Sequence, residues 1–287
     1  MRKLKSATTY SEQVSILEKR NVKISDYEAC EQFLHNVNYY RLSAYLLSFR
    51  QNETDRYSDV SFERIVRIYS FDQQVRKIIY GIIDDIENRI KTQLAYYSAH
   101  KYGPIGYKDE RNYNKTHNHK KFMEMIDVCI HENKKSLIVK HHMKEYDGEF
   151  PIWTIIDFFS IGNLSYFYRG MKGSDREKIA NELFGVEFKE MDSWMRCLTD
   201  LRNRCAHYAR LYYWIFPAIP KMPKGEIFEP NRRLFSQIYM LKMMYSDAEK
   251  WNNEILNEFI DTITMYKKDI LLKNVGFPDS WEQLLRK

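Results

Sequence analysis

The residues best suited to chemistry in this 287-residue chain lie together in the segment LRNRCAHYARL, residues 201–211. It contains Arg202, Asn203 and His207. A neutral histidine can accept the proton of a ribose 2′-hydroxyl, and a guanidinium can stabilise the charge that builds on a phosphate. Such chemistry would suit RNA cleavage without a metal, with a 2′,3′-cyclic phosphate and a 5′-hydroxyl as the ends.

The spacing of arginine and histidine does not by itself single out this segment. A second arrangement, Arg111, Asn112 and His117, has a similar spacing, as expected for so short a motif. The first arrangement lies on a predicted amphipathic helix, which can hold side chains rigidly, whereas the second lies in a polar, loop-like region. We therefore take the first as the candidate catalytic core.

The predicted helix 189–213 has an apolar face and a polar face. The apolar face comprises Leu198, Leu201, Cys205, Tyr208 or Ala209, and Tyr212, and the polar face comprises Asp200, Asn203, Arg204, His207 and Arg210. On an ideal helix Arg202 and His207, five residues apart, point about 140° away from each other. They can converge only if the helix is irregular here, or if a phosphate bridges them to a neighbouring subunit.

Helical signals dominate the rest of the chain. Capping boxes are predicted at Thr9-x-x-Glu12 and Ser174-x-x-Glu177, Ser61 precedes a long periodic apolar run, and Gly103-Pro104 is a helix stop. The run after Ser61 predicts one helix to about residue 102, or two with a break near residues 70–72. Further helices are predicted near 10–21, 26–36, 39–51, 152–170, 175–184, 231–246 and 248–271. This pattern predicts an all-α helical bundle.

Composition bounds the remaining possibilities. With 44% hydrophobic residues the chain can bury a core, and no apolar stretch is long enough to span a bilayer, so we expect a cytoplasmic protein. The four cysteines (Cys30, Cys129, Cys197, Cys205) form no C-x-x-C pair and are predicted to be reduced and mostly buried. A net charge of +6 favours a polyanionic partner, or reflects solubility alone.

Five of the eight histidines lie between residues 108 and 147. His117, His119, His141 and His142 could suggest a metal site, but no cysteine or firmly spaced carboxylate completes a ligand set. An RNA-contacting flap is the preferred interpretation of this region. We predict no metal and no cofactor.

Four blocks of the chain resemble, in the expected order, stretches of the Abi-like abortive-infection proteins (the AbiD/AbiF family) within the HEPN superfamily. They are VNYYRLSAYLLSF, FDQQVRKIIYGIIDDIENRIKTQLAYY, FPIWTIIDFFSIGNLSYFY and WMRCLTDLRNRCAHYARL. The resemblance implies a HEPN-type all-α fold over one Abi-like domain, 1–287. Its core would span about 60–215, with accessory helices in 1–59 and 216–287.

The resemblance also implies a function. It points to a metal-independent endoribonuclease that acts as a toxin-type effector in phage defence, with Arg202, Asn203 and His207 catalytic. Two HEPN units must lie side by side in the related enzymes, so we expect a homodimer of C₂ symmetry with both His207 side chains in one positive groove. RNA is the expected partner, as substrate and as a regulatory non-coding RNA; neither DNA nor a membrane is expected.

Several further residues are interpreted through the resemblance. Arg204 and Arg210 are expected on the groove walls, while Arg41 and Arg89 either contact RNA phosphates or form structural ion pairs with residues such as Glu87. Asp157 stands where the family more often has Glu, and either orients Arg202 or caps a turn.

The chain departs from the family after His207. It has Tyr208-Ala209-Arg210-Leu211-Tyr212-Tyr213 where the family tends to have His-Ser-Arg-Leu-Trp-Asn.

A non-catalytic RNA-binding scaffold of the same fold is the alternative function, and a helical protein-interaction module is a third. For His207 the structural alternative is a surface histidine bonded to a neighbouring helix.

Overall fold

A computed structural model of the protein describes residue 4, residues 6–51 and residues 56–287. Within these ranges the chain is helical, and its only β-type pairings are three isolated bridges, so the predicted all-α fold class is confirmed. The α-helices are α1 Tyr10–Lys19, α2 Tyr27–Asn36, α3 Tyr39–Ser43, α4 Phe62–Tyr102, α5 His119–Glu132, α6 Leu137–Glu145, α7 Ile152–Ile155, α8 Ile161–Gly170, α9 Gly173–Phe184, α10 Phe188–Ala206, α11 Leu234–Met244, α12 Ala248–Lys250, α13 Leu256–Tyr266 and α14 Trp281–Leu285. Short 3₁₀ segments cover Ala44–Phe49, Gly106–Lys108, Glu110–Asn112, Ile156–Phe158 and Leu272–Val275, and a π-helical turn covers Trp251–Ile255.

Helix α4 is the longest element, with 41 residues and a length of about 60 Å. It begins at the predicted cap, where the Ser61 side chain accepts the backbone N–H of Arg64, and it ends at Gly103, whose φ is 81°. There is no break near residues 70–72, so the two-helix alternative is wrong. Neither α4 nor another described helix combines the length and apolar character of a membrane span.

The described helices share one hydrophobic core, with buried side chains from Val14 in α1 to Leu285 in α14. Helix α10 packs against α4, α8, α9 and α11, so that it lies among the central elements. All four cysteines are buried and free, as predicted. The division into a core at 60–215 and accessory helices stays a prediction. The predicted accessory segment 1–59 includes residues 1–3, 5 and 52–55, which lie outside the described residues.

Local capping explains where two expectations failed. The capping box at Thr9 and Glu12 is confirmed, but α9 begins at Gly173, with Lys172 as its N-cap, and Ser174 makes no cap. The His-rich stretch is loop-like by its sequence, but in the structure it contains the helices α5 and α6. Asn118 and Ser136 each accept a backbone N–H in the first turn of these helices, and apolar residues such as Phe122 and Val139 bury one face.

The burial pattern of α10 gives a direct test of the core. Leu201 is fully buried, while Asn203 is exposed two residues later. We predict that Leu201→Ala lowers the free energy of unfolding by about 2–5 kcal/mol, since it leaves a cavity. Asn203→Ala, the matched control, should change it by less than about 0.5 kcal/mol. Urea unfolding followed by circular dichroism measures both, and equal losses would contradict the assigned orientation of the helix.

Candidate active site

Helix α10 carries the Arg–Asn segment in its last turn. Its buried side chains include Met191, Trp194, Leu198 and Leu201, which recur at three and four residues and fix the rotation of the helix against the core. Arg202 is half-buried and Asn203 is exposed. His207 is the C-cap residue, exposed and outside the helix, and its backbone N–H donates to the Asn203 carbonyl over 3.0 Å.

The helix ends at Ala206, so the predicted extent of 189–213 is wrong at its C-terminus. Tyr208 has φ = 56°, in the left-handed region, and turns the chain out of the helix. Its N–H donates to the Cys205 carbonyl over 3.2 Å, and the N–H of Ala209 donates to the Arg204 carbonyl over 2.8 Å. These two bonds form a Schellman motif with tyrosine at the position where glycine is usual. His207 itself still donates its N–H to the Asn203 carbonyl, four residues back, so the chain leaves the helix only after His207. Convergence of the Arg202 and His207 side chains on one phosphate stays a prediction.

A buried carboxylate holds the chain that follows this turn. Asp72, in α4, is fully buried, and its oxygens accept the backbone N–H groups of Leu211 at 3.1 Å and Tyr212 at 2.6 Å. One residue, Arg210, separates this anchor from the Schellman turn. The segment that begins at His207 is thus fixed at one end by α10 and at the other by α4.

The charge of Asp72 is balanced inside the core. The guanidinium of Arg76, one turn along α4, forms an ion pair with Asp72, and the Tyr45 hydroxyl donates to the same carboxylate over 2.7 Å. Arg76 also donates to the Ala209 carbonyl over 3.4 Å. Burial lowers the pKa of Arg76, but the facing carboxylate outweighs it and holds that pKa above its usual value.

The three predicted catalytic side chains are free of structural partners. Within the part of the chain that the structure describes, the side chains of Arg202, Asn203 and His207 form no hydrogen bond, ion pair or ring contact. The His207 side chain therefore lacks the bond to a neighbouring helix that a structural role would require. All three lie within six residues at the end of a rigid helix and remain available to a ligand.

Arg204 and Arg210, predicted on the groove walls, are more involved in the fold. The Arg204 guanidinium lies over the Trp214 ring at 3.5 Å and donates to the Arg210 carbonyl over 3.1 Å. Burial lowers the pKa of both arginines. One terminal nitrogen of Arg210 is buried without a hydrogen-bond partner among the described residues. A contact of either residue with RNA stays a prediction.

Three more candidates lie on other elements. Arg41 is exposed on α3, whereas Arg89 is half-buried on α4, donates to the Met244 carbonyl over 3.5 Å and lies over the Phe184 ring at 5.5 Å. Glu87 pairs with Lys91, not with Arg89. Asp157 is exposed in the 3₁₀ turn after α7, and its backbone carbonyl accepts a hydrogen bond from Lys91 Nζ. Within the described residues its side chain makes no contact with Arg202.

The second arginine–histidine pair has structural contacts. Arg111 forms a two-pronged ion pair with Asp109, with distances of 2.9 and 2.7 Å. The His117 ring stacks on Tyr113, with centroids 4.1 Å apart, and burial lowers the pKa of His117. In the described ranges no group of three or more His, Cys, Asp or Glu residues could hold a metal ion.

One of the tyrosines that follow His207 has an identifiable structural role. Tyr212 is buried, and its hydroxyl accepts the Leu271 N–H at 3.1 Å and the Asn274 side chain at 2.9 Å. Tyr213, like Tyr208, has a φ of 56°. Tyr212 thereby ties the segment after the motif to the C-terminal part of the chain.

Sequence reasoning missed Asp72 and Arg76. They stand four residues apart within an apolar run, between Phe71, Val75 and Ile79, where the sequence is compatible with one helix or with a break near residues 70–72. An acidic and a basic residue at this spacing on a core-facing helix could have indicated a buried pair. Their partners after residue 208 could not be identified from the sequence.

The anchor gives a second prediction. Asp72→Asn removes the negative charge and leaves Arg76 buried without its counter-ion, so the free energy of unfolding should fall by about 3–5 kcal/mol. Asp85→Asn is the matched control, because Asp85 also lies in α4 but pairs at the surface with Lys250. It should cost about 1 kcal/mol or less. Urea denaturation measures both, and a loss below about 1 kcal/mol for Asp72→Asn would contradict the role of the anchor.

Comparison with known proteins shows the family to which the chain belongs. No curated protein and no solved structure matches the chain. The model of the family described as Abi-like protein matches residues 32–213, from α2 to just beyond the Asp72 anchor, which is well over half of the chain. The match includes α4, α10 and all three candidate catalytic residues. The chain belongs to the Abi-like protein family.

Proposed function

We propose that this protein is a metal-independent endoribonuclease of the HEPN type that acts in abortive-infection phage defence. Membership of the Abi-like family supports the defence role. One observation carries the catalytic part: the side chains of Arg202, Asn203 and His207 have no structural partner in the described chain, although they lie at a rigidly anchored helix end. Polar side chains held in place without an internal partner are suited to bind and act on a ligand.

The proposed reaction is an attack by the ribose 2′-hydroxyl on the adjacent phosphate. His207 accepts the 2′-hydroxyl proton while the 2′-oxygen bonds to phosphorus, and Arg202 stabilises the charge on the phosphate oxygens. Asn203 can donate a hydrogen bond to the same phosphate. The bond to the 5′-oxygen breaks, leaving a 2′,3′-cyclic phosphate and, after that oxygen takes up a proton, a 5′-hydroxyl.

Protonation of the leaving 5′-oxygen requires a general acid in addition to the base, His207. One chain supplies one such histidine, whereas two chains side by side would supply a base and an acid around a single phosphate. Exposed apolar side chains in the segment that follows His207 support such an arrangement, since Tyr208 is 62% and Ile215 54% exposed. A C₂ homodimer with α10 near its axis would cover them.

The catalytic prediction concerns two variants. His207→Ala and Arg202→Ala should each abolish cleavage and any growth toxicity while leaving the unfolding free energy within about 0.5 kcal/mol, because neither side chain packs in the core. The matched controls are His100→Ala and Arg196→Ala, which remove an exposed histidine on α4 and an exposed arginine on α10. Both controls should cleave at the wild-type rate.

The assay uses labelled total RNA with and without EDTA, and the ends are identified by their sensitivity to enzymes that act on cyclic phosphates. Cleavage by His207→Ala at the wild-type rate would refute the proposed base. Loss of wild-type cleavage in EDTA would refute a metal-independent reaction. RNA that is bound but left intact by the wild-type protein would instead indicate the non-catalytic scaffold.

The assembly prediction is tested with an exposed isoleucine. Light scattering should give a dimer for the wild-type protein and a monomer without activity for Ile215→Glu, because a charge would be buried at the interface. Ile105→Glu, at an isoleucine 46% exposed beyond the end of α4, should remain a dimer and remain active. A wild-type enzyme that is active as a strict monomer would contradict the shared groove.

A further inference from the structure

A groove at the N-terminal end of the described chain has no part in the proposed reaction. It lies between α1, the end of α2 and α3, and we refer to it as the N-terminal groove. Its volume is about 770 Å³, within the range of about 300–1,000 Å³ that is usual for small-ligand sites. The side chains used in the argument are Tyr10, Arg20, His35, Asn36, Asn38 and Tyr40.

The groove presents aromatic rings to solvent. Tyr40 is 71% exposed, a large fraction for an aromatic side chain, and among the described residues its ring forms one ring contact, an edge-to-face contact with Tyr39. The rings of Tyr10 and His35 are in contact, with centroids 3.9 Å apart and planes tilted by 34°, and both residues are exposed. Aromatic faces of this kind are platforms for unpaired bases, because every base has a face that can stack.

The polar side chains of the groove match the remaining parts of a nucleotide. Asn36 and Asn38 are exposed, and each uses one end of its amide within the chain: Asn36 Nδ2 donates to the Gln32 carbonyl over 3.1 Å, and Asn38 Oδ1 accepts a hydrogen bond from the Tyr40 N–H at 2.9 Å. The Asn36 oxygen can still accept from the edge of a base, and the Asn38 nitrogen can still donate to it. Arg20, half-buried, donates to the Tyr39 hydroxyl over 3.2 Å and has further donors. Of the described residues that line the groove, none is Asp or Glu, so no carboxylate repels a phosphate.

The groove is also connected to the candidate active site. Helix α3, which forms one wall, continues directly into the 3₁₀ segment Ala44–Phe49. There the Tyr45 hydroxyl donates to Asp72, the carboxylate that holds the residues after His207. A ligand that orders α3 would therefore act on the same network of hydrogen bonds that positions the catalytic segment.

We propose that the N-terminal groove binds an unpaired nucleotide of a single-stranded RNA, with its base stacked on Tyr40 and on the Tyr10–His35 pair. A protein ligand is less well matched, since the exposed groups are aromatic faces, amides and a cation rather than a continuous apolar surface. The site lies outside the catalytic segment and does not require cleavage. It would bind the RNA strand away from the bond that is cut.

The test measures binding in a background that is expected not to cleave, so its outcome does not depend on the proposed reaction. Full-length protein with His207→Ala is titrated into a fluorescein-labelled 12-nucleotide single-stranded RNA at fixed salt, and anisotropy gives Kd. Adding Tyr40→Ala or His35→Ala should raise Kd about fivefold to a hundredfold, the factor that corresponds to loss of one stacked base. Tyr40→Phe, which keeps the ring, should bind as the parent does.

Tyr80→Ala is the matched control, because Tyr80 is a 44% exposed tyrosine on α4 that does not line the groove. It should leave Kd unchanged, and circular dichroism should show that every variant folds. Unchanged Kd in both Tyr40→Ala and His35→Ala would overturn the proposal. A groove that binds adenosine monophosphate with the same dependence on Tyr40, while the RNA fails to compete, would also overturn it, since the ligand would then be a free nucleotide.

Discussion

The arrangement around His207 depends on one buried carboxylate. Asp72 has lost its contact with water, and it stays in the core because Arg76, Tyr45 and two backbone N–H groups satisfy its oxygens. Desolvating a carboxylate costs several kcal/mol, which only such a complete set of partners can offset. The backbone N–H groups belong to residues just after the motif. Because their acceptor lies inside the core, the chain there has one favourable path, and that path determines where His207 lies.

The turn between α10 and this anchor carries conformational strain. Tyr208 adopts the left-handed conformation, which costs a residue with a Cβ roughly 1–2 kcal/mol. Its side chain is exposed, so burial does not offset this cost. The Schellman hydrogen bonds at the end of α10 and the Asp72 anchor hold the turn from its two sides. Strained backbone that is fixed by its surroundings is frequent at functional sites, and here it directs the chain away from α10 immediately after His207.

The features of the fold that could be predicted from the sequence are those that depend on interactions between residues close together in the chain. The start of α4 could be predicted because Ser61 and the apolar period after it lie within a few residues of each other. The end of α10 could not, because the usual signal is a glycine and this chain has Tyr208. Whether α4 continues through Asp72 could also not be decided from the sequence. A polar residue within an apolar run is compatible with a break or with a buried pair, and the deciding partners lie about 140 residues away in the sequence.

The two arginines of the segment Arg202-Asn203-Arg204 show that position decides what a residue type can do. Two residues along a helix correspond to a rotation of about 200°, so the two guanidinium groups leave α10 on nearly opposite sides. Arg204 is directed to Trp214 and to the Arg210 carbonyl, and burial lowers its pKa. Arg202 has no such partner in the described chain. Arg204 is held by these contacts, and its Nε lies 3.7 Å from the Asp200 carboxylate. Arg202 is therefore the guanidinium of the two that remains available to the proposed phosphate.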